Sequence, residues 1–346
     1  MLAAVVKGVK DVALEEVSKP AMQKTTDVLL KVTATALCTS DVHIVNGYMP
    51  PSPPYVIGHE FIGIVEEAGS SVNNFKPGDR VAVPPLSYCG LCEHCRKGMP
   101  GQCLNSAVFG SGATWGGMPG GFAQYVRVPH ADACMVPIPG DISDDEAIFV
   151  GDMLTTGYYA VENCKLKPGA TLAVFGAGPV GLCAVHTAQL FHPAKVVLVD
   201  SLDHRLALGK QMGATHTINL NETDAVAQIM ELTNGRGVDA AIEAVGDQKA
   251  INDAARVTGV GGTLSIVGLF PGNIEFPIME LLMKNVTTKV GLSYLGNMPM
   301  LMGLVAEKKL DATPLITHRM PLASFAEAYD IFAGKKENVV KIIMTP

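Results

Sequence analysis

The stretch that decides the fold is TLAVFGAGPVGLCAVHTAQLFHPAKVVLVD, which runs from Thr171 to Asp200. It begins with a short apolar run that predicts a buried strand, continues through a glycine-rich turn and a helical pattern, and ends in a second apolar run. The turn, Gly176-Ala-Gly178-Pro-Val-Gly181, matches the pattern G-x-G-x-x-G. A strand, this turn, a helix and a second strand predict the first unit of a dinucleotide-binding domain.

The turn residues suit a bound pyrophosphate. Gly176 permits the tight turn, Gly178 lets the backbone approach the phosphates, and Gly181 lets the helix pack on the strand. Pro179 fits the first turn of a helix, whose N-terminal N–H groups hold phosphates. Asp200 ends the second strand, where a carboxylate accepts hydrogen bonds from the adenosine ribose and repels a 2′-phosphate. The sequence therefore predicts NAD rather than NADP, with an unrelated glycine-rich turn as the alternative.

The sequence pattern changes near residue 152. From about residue 152, short apolar runs alternate with helix-length segments, which predicts a doubly wound parallel sheet in an α/β fold. The predicted strands are 171–176, 195–200, 215–220, 238–246, 262–269 and 286–292. The first 150 residues carry short alternating runs and turn signals, which favour a β-rich domain that begins with a strand pair.

Length, composition and charge narrow the class of protein. A chain of 346 residues is long enough for two domains, and 48% apolar with 17% charged residues excludes intrinsic disorder. The net charge of −7 disfavours a nucleic-acid or anionic-membrane partner. No apolar run reaches the ~18 residues of a membrane span, and Lys7 and Lys10 interrupt the first run too early for a signal peptide. We therefore expect a cytoplasmic location with reduced cysteines.

Four of the eight cysteines are clustered within 15 residues, at Cys89, Cys92, Cys95 and Cys103. Two-residue gaps let neighbouring thiolates converge on one ion, and the longer gap closes a tetrahedron. Four thiolates leave no open coordination position, so the cluster favours a structural zinc site. An iron–sulfur cluster and disulfides are the alternatives, and a reducing compartment disfavours disulfides. A nucleic-acid zinc module is a further alternative, against which the acidic net charge argues.

Two further segments carry residue types that bind metals, Cys38-Thr-Ser-Asp-Val-His43 and Gly58-His-Glu-Phe-Ile-Gly63. Their spacing alone does not establish a metal site. Together with the cysteine cluster and the glycine turn, however, they occur in an order that resembles the zinc-containing medium-chain alcohol dehydrogenase family. The resemblance is closest to the bacterial tetrameric secondary-alcohol branch, and it extends over the whole chain.

The resemblance implies a domain organisation. A β-rich catalytic domain of the GroES-like type is expected over residues 1–151 and 296–346, and a Rossmann dinucleotide-binding domain over residues 152–295. Each chain is expected to hold two zinc ions, one catalytic and one structural. Members of the family pair edge strands of the nucleotide domain across a dimer, and here 286–292 is the candidate edge. A homotetramer is expected from the length of the chain.

The resemblance also assigns a catalytic zinc site. Cys38 and His59 match the first two ligands. Many members have Cys as the third ligand, but this chain has Asp152, which resembles the bacterial tetrameric branch, where the ligand is Asp. One thiolate, one carboxylate and one neutral imidazole balance the charge of Zn²⁺, and the oxygen ligand keeps the ion a strong Lewis acid. Glu60 is implied to lie near the zinc and to bind it when the substrate position is empty.

A proton relay follows from the same resemblance. Ser40 matches the hydroxyl that takes the substrate proton, and His43 matches the base that passes this proton to solvent. Asp41 matches the carboxylate that orients the ligand histidine. For His43, a polar residue on a helix surface is the alternative.

Further residues are implied to contact the cofactor or the substrate. Thr156 and Val180 match positions that touch the nicotinamide. Arg205 matches a basic residue near the adenosine ribose, and Lys341 resembles a basic residue near the pyrophosphate. Trp115, the only tryptophan, falls where relatives line the substrate pocket, with a core tryptophan as the alternative.

The activity implied is reversible hydride transfer between an alcohol and NAD. The segments FGSGATWGG (109–117) and GLSYLGNMPM (291–300) look apolar, which favours secondary alcohols and ketones as the small-molecule substrates. Polyol, butanediol and threonine dehydrogenases share nearly all of these motifs and stay as alternatives. The zinc-free quinone reductase branch normally lacks the cysteine cluster and the Cys-His pair that are present here.

Overall fold

The computed structural model describes residues 1–48 and 54–346. These residues form two compact units, one comprising Met1–Thr155 with Tyr294–Pro346 and the other comprising Thr156–Ser293. The first unit is rich in antiparallel strands and the second is built on one parallel sheet. The predicted fold class, a β-rich domain combined with a doubly wound α/β domain, is therefore confirmed.

The strands and helices follow one another in the described residues as the apolar patterns indicate. The strands are β1 (Leu2–Gly8), β2 (Asp11–Glu16), β3 (Val28–Ala36), β4 (Tyr55–Val56), β5 (Phe61–Ala68), β6 (Arg80–Val83), β7 (Leu86–Ser87), β8 (Ala107–Val108), β9 (Tyr125–Val128), β10 (Val136–Pro137), β11 (Thr171–Phe175), β12 (Lys195–Asp200), β13 (His216–Asn219), β14 (Val238–Glu243), β15 (Thr258–Ile266), β16 (Thr287–Val290), β17 (Ile316–Pro321) and β18 (Lys341–Thr345). The helices are α1 (Thr39–Val45), α2 (Glu93–Arg96), α3 (Ala131–Cys134), α4 (Asp144–Gly151), α5 (Met153–Cys164), α6 (Pro179–Ala188), α7 (Asp203–Gln211), α8 (Ala225–Leu232), α9 (Gln248–Val257), α10 (Ile278–Met283), α11 (Met298–Ala306) and α12 (Phe325–Ala333).

The second unit contains a six-stranded parallel sheet in the order β13-β12-β11-β14-β15-β16. Its central strands carry continuous runs of buried Val, Ala, Leu and Ile, because helices cover both faces. All six strands predicted from the sequence are present. The strand order reverses between β11 and β14, and the crevice at the carboxyl ends of these two strands is where such sheets bind ligands.

The largest differences from the predicted strands are at the end of β14 and at both ends of β15, which covers Thr258–Ile266 rather than 262–269. The other strand ends differ by at most two residues. Strand β14 stops at Glu243 rather than at residue 246, because the Glu243 side chain accepts the backbone N–H groups of Val245 and Gly246 and turns the chain away. Strand β15 begins at Thr258 rather than at residue 262. Its first half is irregular, and Gly261 there has φ +71°.

The glycine turn joins β11 to α6 in a tight connection. Gly176 has φ +101°, which glycine adopts without strain, and Gly178 is the N-cap of α6. A Cβ on Gly181 would lie 1.8 Å from the carbonyl oxygen of Gly176, so only glycine lets the helix pack this closely against the turn. The turn therefore exposes the N-terminus of α6 at the carboxyl end of β11.

The first unit is organised around a seven-stranded sheet in the order β10-β6-β5-β3-β18-β17, with β9 also paired to β3. Strands β1 and β2 form the predicted antiparallel pair, and β4 extends their small sheet. Strand β3 lies between β5 and β18, and it pairs antiparallel with both. The amino end of β5, the amino end of β18 and the carboxyl end of β3 therefore meet at the same place in this unit.

None of the helices in residues 1–48 and 54–346 has the length and apolar character that crossing a bilayer requires.

We predict that Gly181→Ala lowers the melting temperature, because the new methyl group would collide with the carbonyl oxygen of Gly176. Overpacking of this kind costs about 1–3 kcal/mol. Gly303→Ala is the matched control: Gly303 lies in α11, and a Cβ there would meet nothing within 4 Å. Its melting temperature should equal or exceed that of the wild type, since a helix gains roughly 0.5–1 kcal/mol from alanine over glycine. Equal melting temperatures for the two variants in calorimetry would contradict the close packing at Gly181.

Candidate active site and metal centres

Four side chains with metal-binding atoms converge in the first unit. One donor atom from each of Cys38, His59, Glu60 and Asp152 lies within 4.8 Å of the others. His59 and Glu60 are buried, the Asp152 side chain is 13% exposed, and Cys38 is half-buried. We call these four residues the donor cluster.

Strand pairing brings the members of the donor cluster together. Cys38 follows the end of β3 and forms the N-cap of α1, whereas His59 and Glu60 directly precede β5. The backbone N–H of Ala36 in β3 donates to the carbonyl of Glu60 at 3.0 Å, which fixes the two segments side by side. Asp152 follows directly after α4. Residues distant in the sequence thus meet because two strand ends and one helix end share a location.

A buried carboxylate orients His59. Its Nδ1 lies 2.9 Å from Oδ1 of Asp41, whose side chain is fully buried. The other oxygen of Asp41 accepts the backbone N–H of Cys38 at 2.9 Å. With Nδ1 on Asp41, Nε2 of His59 faces the donor cluster, 3.5 Å from Oδ2 of Asp152. One side chain therefore holds two members of the cluster.

The two residues predicted to relay protons lie on α1. Ser40 enters the cluster: its hydroxyl lies 3.1 Å from Sγ of Cys38 and 3.0 Å from Nε2 of His59. His43 is half-buried, with its ring centroid 4.9 Å from that of Tyr48. Burial lowers the pKa of His43, which keeps its imidazole neutral at pH 7. The relay itself stays a prediction.

Lys341 also joins this group. Its Nζ lies 2.5 Å from Oε1 of Glu60, and the side chains are 0% and 1% exposed. The resemblance places Lys341 near a pyrophosphate. The structure places its ammonium on Glu60, because β18 pairs with β3 and so starts beside Cys38. The contact with a pyrophosphate stays a prediction. The second oxygen of Glu60, Oε2, is buried and has no hydrogen-bond partner among the described residues.

Burial and charge act in opposite directions on the pKa values in the cluster. Burial raises the pKa of Glu60 to about 7, although the charge of Lys341 acts to lower it. Burial acts to lower the pKa of His59, but the carboxylates of Asp41 and Asp152 raise it well above its ordinary value. Burial also raises the pKa of the Cys38 thiol. The cluster therefore holds protons that a divalent cation would displace.

The donor cluster fits a zinc ion. Thiolate, imidazole and carboxylate are the ligand types that zinc prefers, and three of them leave one coordination position open for a catalytic role. The imidazole has a carboxylate on its far nitrogen, which is typical of a metal ligand. The unpartnered Oε2 of Glu60 is a further oxygen beside the same position.

The four clustered cysteines converge as the sequence predicts. Their sulfurs lie within 4.8 Å of one another, with 3.5 Å between Cys103 and Cys89 and 3.8 Å between Cys92 and Cys103. Zinc–sulfur bonds of about 2.3 Å in a tetrahedron place the sulfurs about 3.8 Å apart. All eight cysteines lie in the described residues and are free, so the structure contains no disulfide among them. The geometry fits one tetrahedral ion.

Backbone and side-chain N–H groups surround these sulfurs. Cys103 Sγ accepts the N–H groups of Cys89 and Asn105, each at 3.3 Å. Cys89 Sγ accepts from Cys92 N and from the amide of Asn105. Burial acts to raise the pKa of Cys89, but these donors lower it to about 6. The loop is thus built to hold thiolates, which are the form that binds metal.

The glycine turn and Asp200 are in direct contact in the second unit. Oδ2 of Asp200 accepts the backbone N–H of Ala177, inside the turn, at 2.6 Å. Its Oδ1 accepts from Ser201 N and Leu202 N. This places the carboxylate at the end of β12 beside the glycine turn, where a ribose would lie. Arg205 follows on α7, where burial lowers the pKa of its guanidinium and the charge of Asp200 only partly offsets that effect.

The two residues assigned to the nicotinamide lie on packed helices of the second unit. Thr156 and Val180 are half-buried, in α5 and α6. The two helices touch at Gly157, where a Cβ would lie 2.7 Å from backbone atoms of Cys183 and Ala184. Trp115 is 43% exposed, in a 3₁₀ helix of the first unit, which argues against a core tryptophan.

Sequence reasoning missed Glu243, a fully buried glutamate at the switch point. Its Oε1 accepts Val245 N at 2.8 Å and Gly246 N at 2.7 Å, and burial raises its pKa to about 7. A Cβ on Gly176 would lie 2.8 Å from Val245, so Glu243 shapes the loop beside the glycine turn. The signal in the sequence is a glutamate at the end of the apolar run VDAAIE.

Comparison with known proteins accounts for both units. Residues 24–140 match the alcohol dehydrogenase GroES-like domain, and residues 179–307 match the zinc-binding dehydrogenase model. An alcohol dehydrogenase of Cupriavidus necator is 34% identical over 336 residues, which are 92% of each chain. The chain belongs to the zinc-containing medium-chain alcohol dehydrogenase family. The predicted GroES-like character of the first unit is thereby confirmed, and the family acts on alcohols with zinc and a nicotinamide cofactor.

Other members of the family show its range. The zinc-type alcohol dehydrogenase-like protein AdhB of Bacillus subtilis is 34% identical over the full length of both chains. The solved alcohol dehydrogenase TADH of Thermus sp. ATN1 superposes with a TM-score of 0.95 at 32% identity, covering 100% of this chain and 99% of that one.

Members with other named substrates or cofactors are also similar. A sorbitol dehydrogenase of Bacillus subtilis is 33% identical, covering 100% of this chain and 97% of its own. The 2R,3R-butanediol dehydrogenase of Bacillus subtilis superposes with a TM-score of 0.87 at 29% identity over 100% and 99% of the two chains. A zinc-binding dehydrogenase of Sinorhizobium meliloti, solved with NADP, superposes with a TM-score of 0.89 at 28% identity, covering 100% of this chain and 99% of that one. The family alone therefore fixes neither the alcohol nor the choice between NAD and NADP.

We predict that Cys95→Ser removes one equivalent of zinc and lowers the melting temperature, because three thiolates no longer close the tetrahedron. Cys164→Ser is the matched control: Cys164 is a buried free cysteine outside both metal-binding groups, and its thiol donates to a backbone carbonyl that a hydroxyl also reaches. Elemental analysis should find full zinc in the control. Full zinc and an unchanged melting temperature in Cys95→Ser would contradict the site.

Proposed function

We propose that this protein is a zinc-dependent alcohol dehydrogenase that transfers hydride reversibly between a secondary alcohol and NAD. The observation that carries the proposal is the convergence of Cys38, His59 and Asp152 with the Ser40 hydroxyl among them. A zinc ion bound there supplies a Lewis acid that lowers the pKa of an alcohol hydroxyl. The catalytic ion would be held by Cys38, His59 and Asp152, and the structural ion by the four clustered cysteines.

The residues around the donor cluster prepare it for this chemistry. Asp41 fixes the tautomer of His59, so that Nε2 keeps its lone pair for the metal. Ser40 Oγ lies among the donor atoms, where it takes the proton of a substrate hydroxyl. His43 stays neutral at pH 7 because burial lowers its pKa, and it passes the proton onward to solvent. A bound nicotinamide would supply the hydride acceptor, and Thr156 and Val180 are the residues proposed to contact it.

The support for NAD is the position of Asp200. Its carboxylate is held against the glycine turn by Ala177 N, where it would accept from ribose hydroxyls and repel a 2′-phosphate. Arg205 is the proposed basic neighbour of this ribose. The glycine turn, with Gly176, Gly178, Pro179 and Gly181, is proposed to bind the pyrophosphate at the N-terminus of α6.

The support for a simple secondary alcohol is the apolar character of the segments 109–117 and 291–300. A polyol site would carry more polar groups. Trp115 is an exposed aromatic side chain in the first of these segments. The similar butanediol and sorbitol dehydrogenases favour a vicinal diol or a polyol as the second candidate, because both are also secondary alcohols.

The test is the initial rate of nicotinamide reduction by zinc-loaded protein with propan-2-ol, butan-2-ol, butane-2,3-diol, sorbitol and threonine, each with NAD and NADP. Fast turnover of the simple alcohols with NAD is the expected result. Turnover confined to the diol, sorbitol or threonine would replace the substrate. In the same assay Asp200→Gly should raise the NADP-to-NAD ratio of kcat/KM, whereas the control Asp203→Asn, three residues further along the chain, should not. An unchanged ratio in Asp200→Gly would show that Asp200 does not select the cofactor.

The proposal includes a cytoplasmic homotetramer with β16 at a subunit interface. Strand β16 is the edge of the parallel sheet, and Val290 at its end is 69% exposed. The neighbouring helix α10 exposes further apolar side chains, namely Ile278, Met279, Leu282 and Met283. An unpaired edge beside exposed apolar side chains suits pairing with a second copy of the chain. The cysteine thiols require a reducing compartment until they bind metal.

We predict that Val290→Lys yields smaller assemblies in light scattering than the wild type, because a charge would have to be buried at the paired edge. Leu220→Lys is the control, since Leu220 is 39% exposed and follows β13 at the opposite edge of the sheet. A wild-type monomer, or equal assemblies for both variants, would contradict this interface.

A further inference from the structure

Lys341 and Glu60 form a buried ion pair whose two partners are unequally satisfied. The ammonium is fully buried and pairs with Oε1 of Glu60 at 2.5 Å. Oε2 of the same carboxylate is buried without a hydrogen-bond partner among the described residues. A buried carboxylate oxygen with no partner is costly, so its position calls for a ligand.

The unpaired oxygen belongs to the donor cluster. Glu60 is one of the four residues whose donor atoms lie within 4.8 Å of one another. A metal held by Cys38, His59 and Asp152 would therefore lie within reach of Glu60 as well. The carboxylate has two cations available to it, the Lys341 ammonium on one side and the metal on the other.

Charge balance determines whether Glu60 pairs with the Lys341 ammonium or with the metal. A divalent ion is neutralised by the thiolate of Cys38 and the carboxylate of Asp152, with His59 neutral. Glu60 and Lys341 then neutralise each other, in a place where both are at most 1% exposed. If Lys341 loses its charge, Glu60 becomes a buried anion without an ion-pair partner, which is strongly unfavourable. The metal is then the nearest cation with which the Glu60 carboxylate can pair.

We infer that Lys341 is a positioning residue that holds Glu60 off the catalytic metal and so keeps the fourth coordination position open for substrate. This inference rests on the proposed metal site. It gives Lys341 a task different from contact with a pyrophosphate. It also departs from the resemblance, which implies that Glu60 binds the metal when the substrate position is empty. It also predicts that the open position closes when the ammonium is removed, although no metal ligand has been changed.

The test uses protein loaded with cobalt(II) and follows its visible absorption. The spectrum of Cys38→Ser, which keeps the four-cysteine site, is subtracted to isolate the donor cluster. Imidazole at pH 8 is the probe of the open position. It is neutral there, so the loss of the Lys341 charge does not by itself change its attraction to the site.

In the wild type, imidazole should shift the cobalt bands. In Lys341→Met, a substitution of similar volume, the affinity for imidazole should fall about tenfold or more, because Glu60 occupies the position. The double variant Lys341→Met with Glu60→Gln should recover the wild-type affinity, since no carboxylate remains to bind the metal. Lys341→Arg, which keeps the charge, and Lys308→Met, which removes a surface ion pair with Glu146, should behave as the wild type.

Three results would overturn the role of Lys341. One is wild-type imidazole affinity in folded Lys341→Met, and another is the same loss in the double variant as in Lys341→Met. The third result comes from the single variant Glu60→Gln and does not require that Lys341→Met folds. A tenfold gain in its affinity for imidazole would show that Glu60 already binds the metal in the wild type. By contrast, a wild type with no cobalt signal beyond that of Cys38→Ser would refute the metal site itself.

Discussion

The arrangement of the first unit depends on the antiparallel pairing of β3 with β5 on one side and β18 on the other. Ala36 N donates to the carbonyl of Glu60, and Leu37 N donates to that of Ile342. Because side chains alternate along each strand, a slip of one residue in either pairing would turn Glu60 or Lys341 away from Cys38. The chemistry of the donor cluster is therefore set by backbone hydrogen bonds.

A second constraint is that backbone N–H groups hold at least one anion at each candidate site. Asp41 accepts from Cys38 N, Asp200 from Ala177 N, and the cysteine sulfurs from the amides of their own loop. Such donors cost no side-chain entropy, and they orient the charged groups before any ligand arrives. Glu243 belongs to the same pattern, with two N–H groups of the following loop on one oxygen.

The sequence predicted most of the fold and only part of the candidate site. Continuous apolar runs locate the six parallel strands, and the spacing of Cys89 to Cys103 indicates their convergence, because both signals are local. Cys38, His59 and Asp152 were connected only through the resemblance to a family, since they are far apart in the sequence. The contact of Lys341 with Glu60 depends on strand register across about 280 residues, and no local pattern carries that information. The ends of β14 and β15 were misplaced because side-chain and glycine effects override apolar periodicity.

The pairing of β3 with β18 has a consequence for the order of folding during synthesis. The first unit is interrupted by Thr156–Ser293, so β3 emerges from the ribosome long before its partner. The parallel-sheet unit is contiguous in the chain and can fold as soon as it is complete, since domains fold as units during translation. Until then, Cys38, Glu60 and the end of β3 lack their neighbouring strand. Contacts this far apart in sequence form slowly. The carboxyl end of β3, beside the metal donors, therefore stays unpaired in the nascent chain until β18 is made, and during this interval the growing protein is most exposed to misassembly.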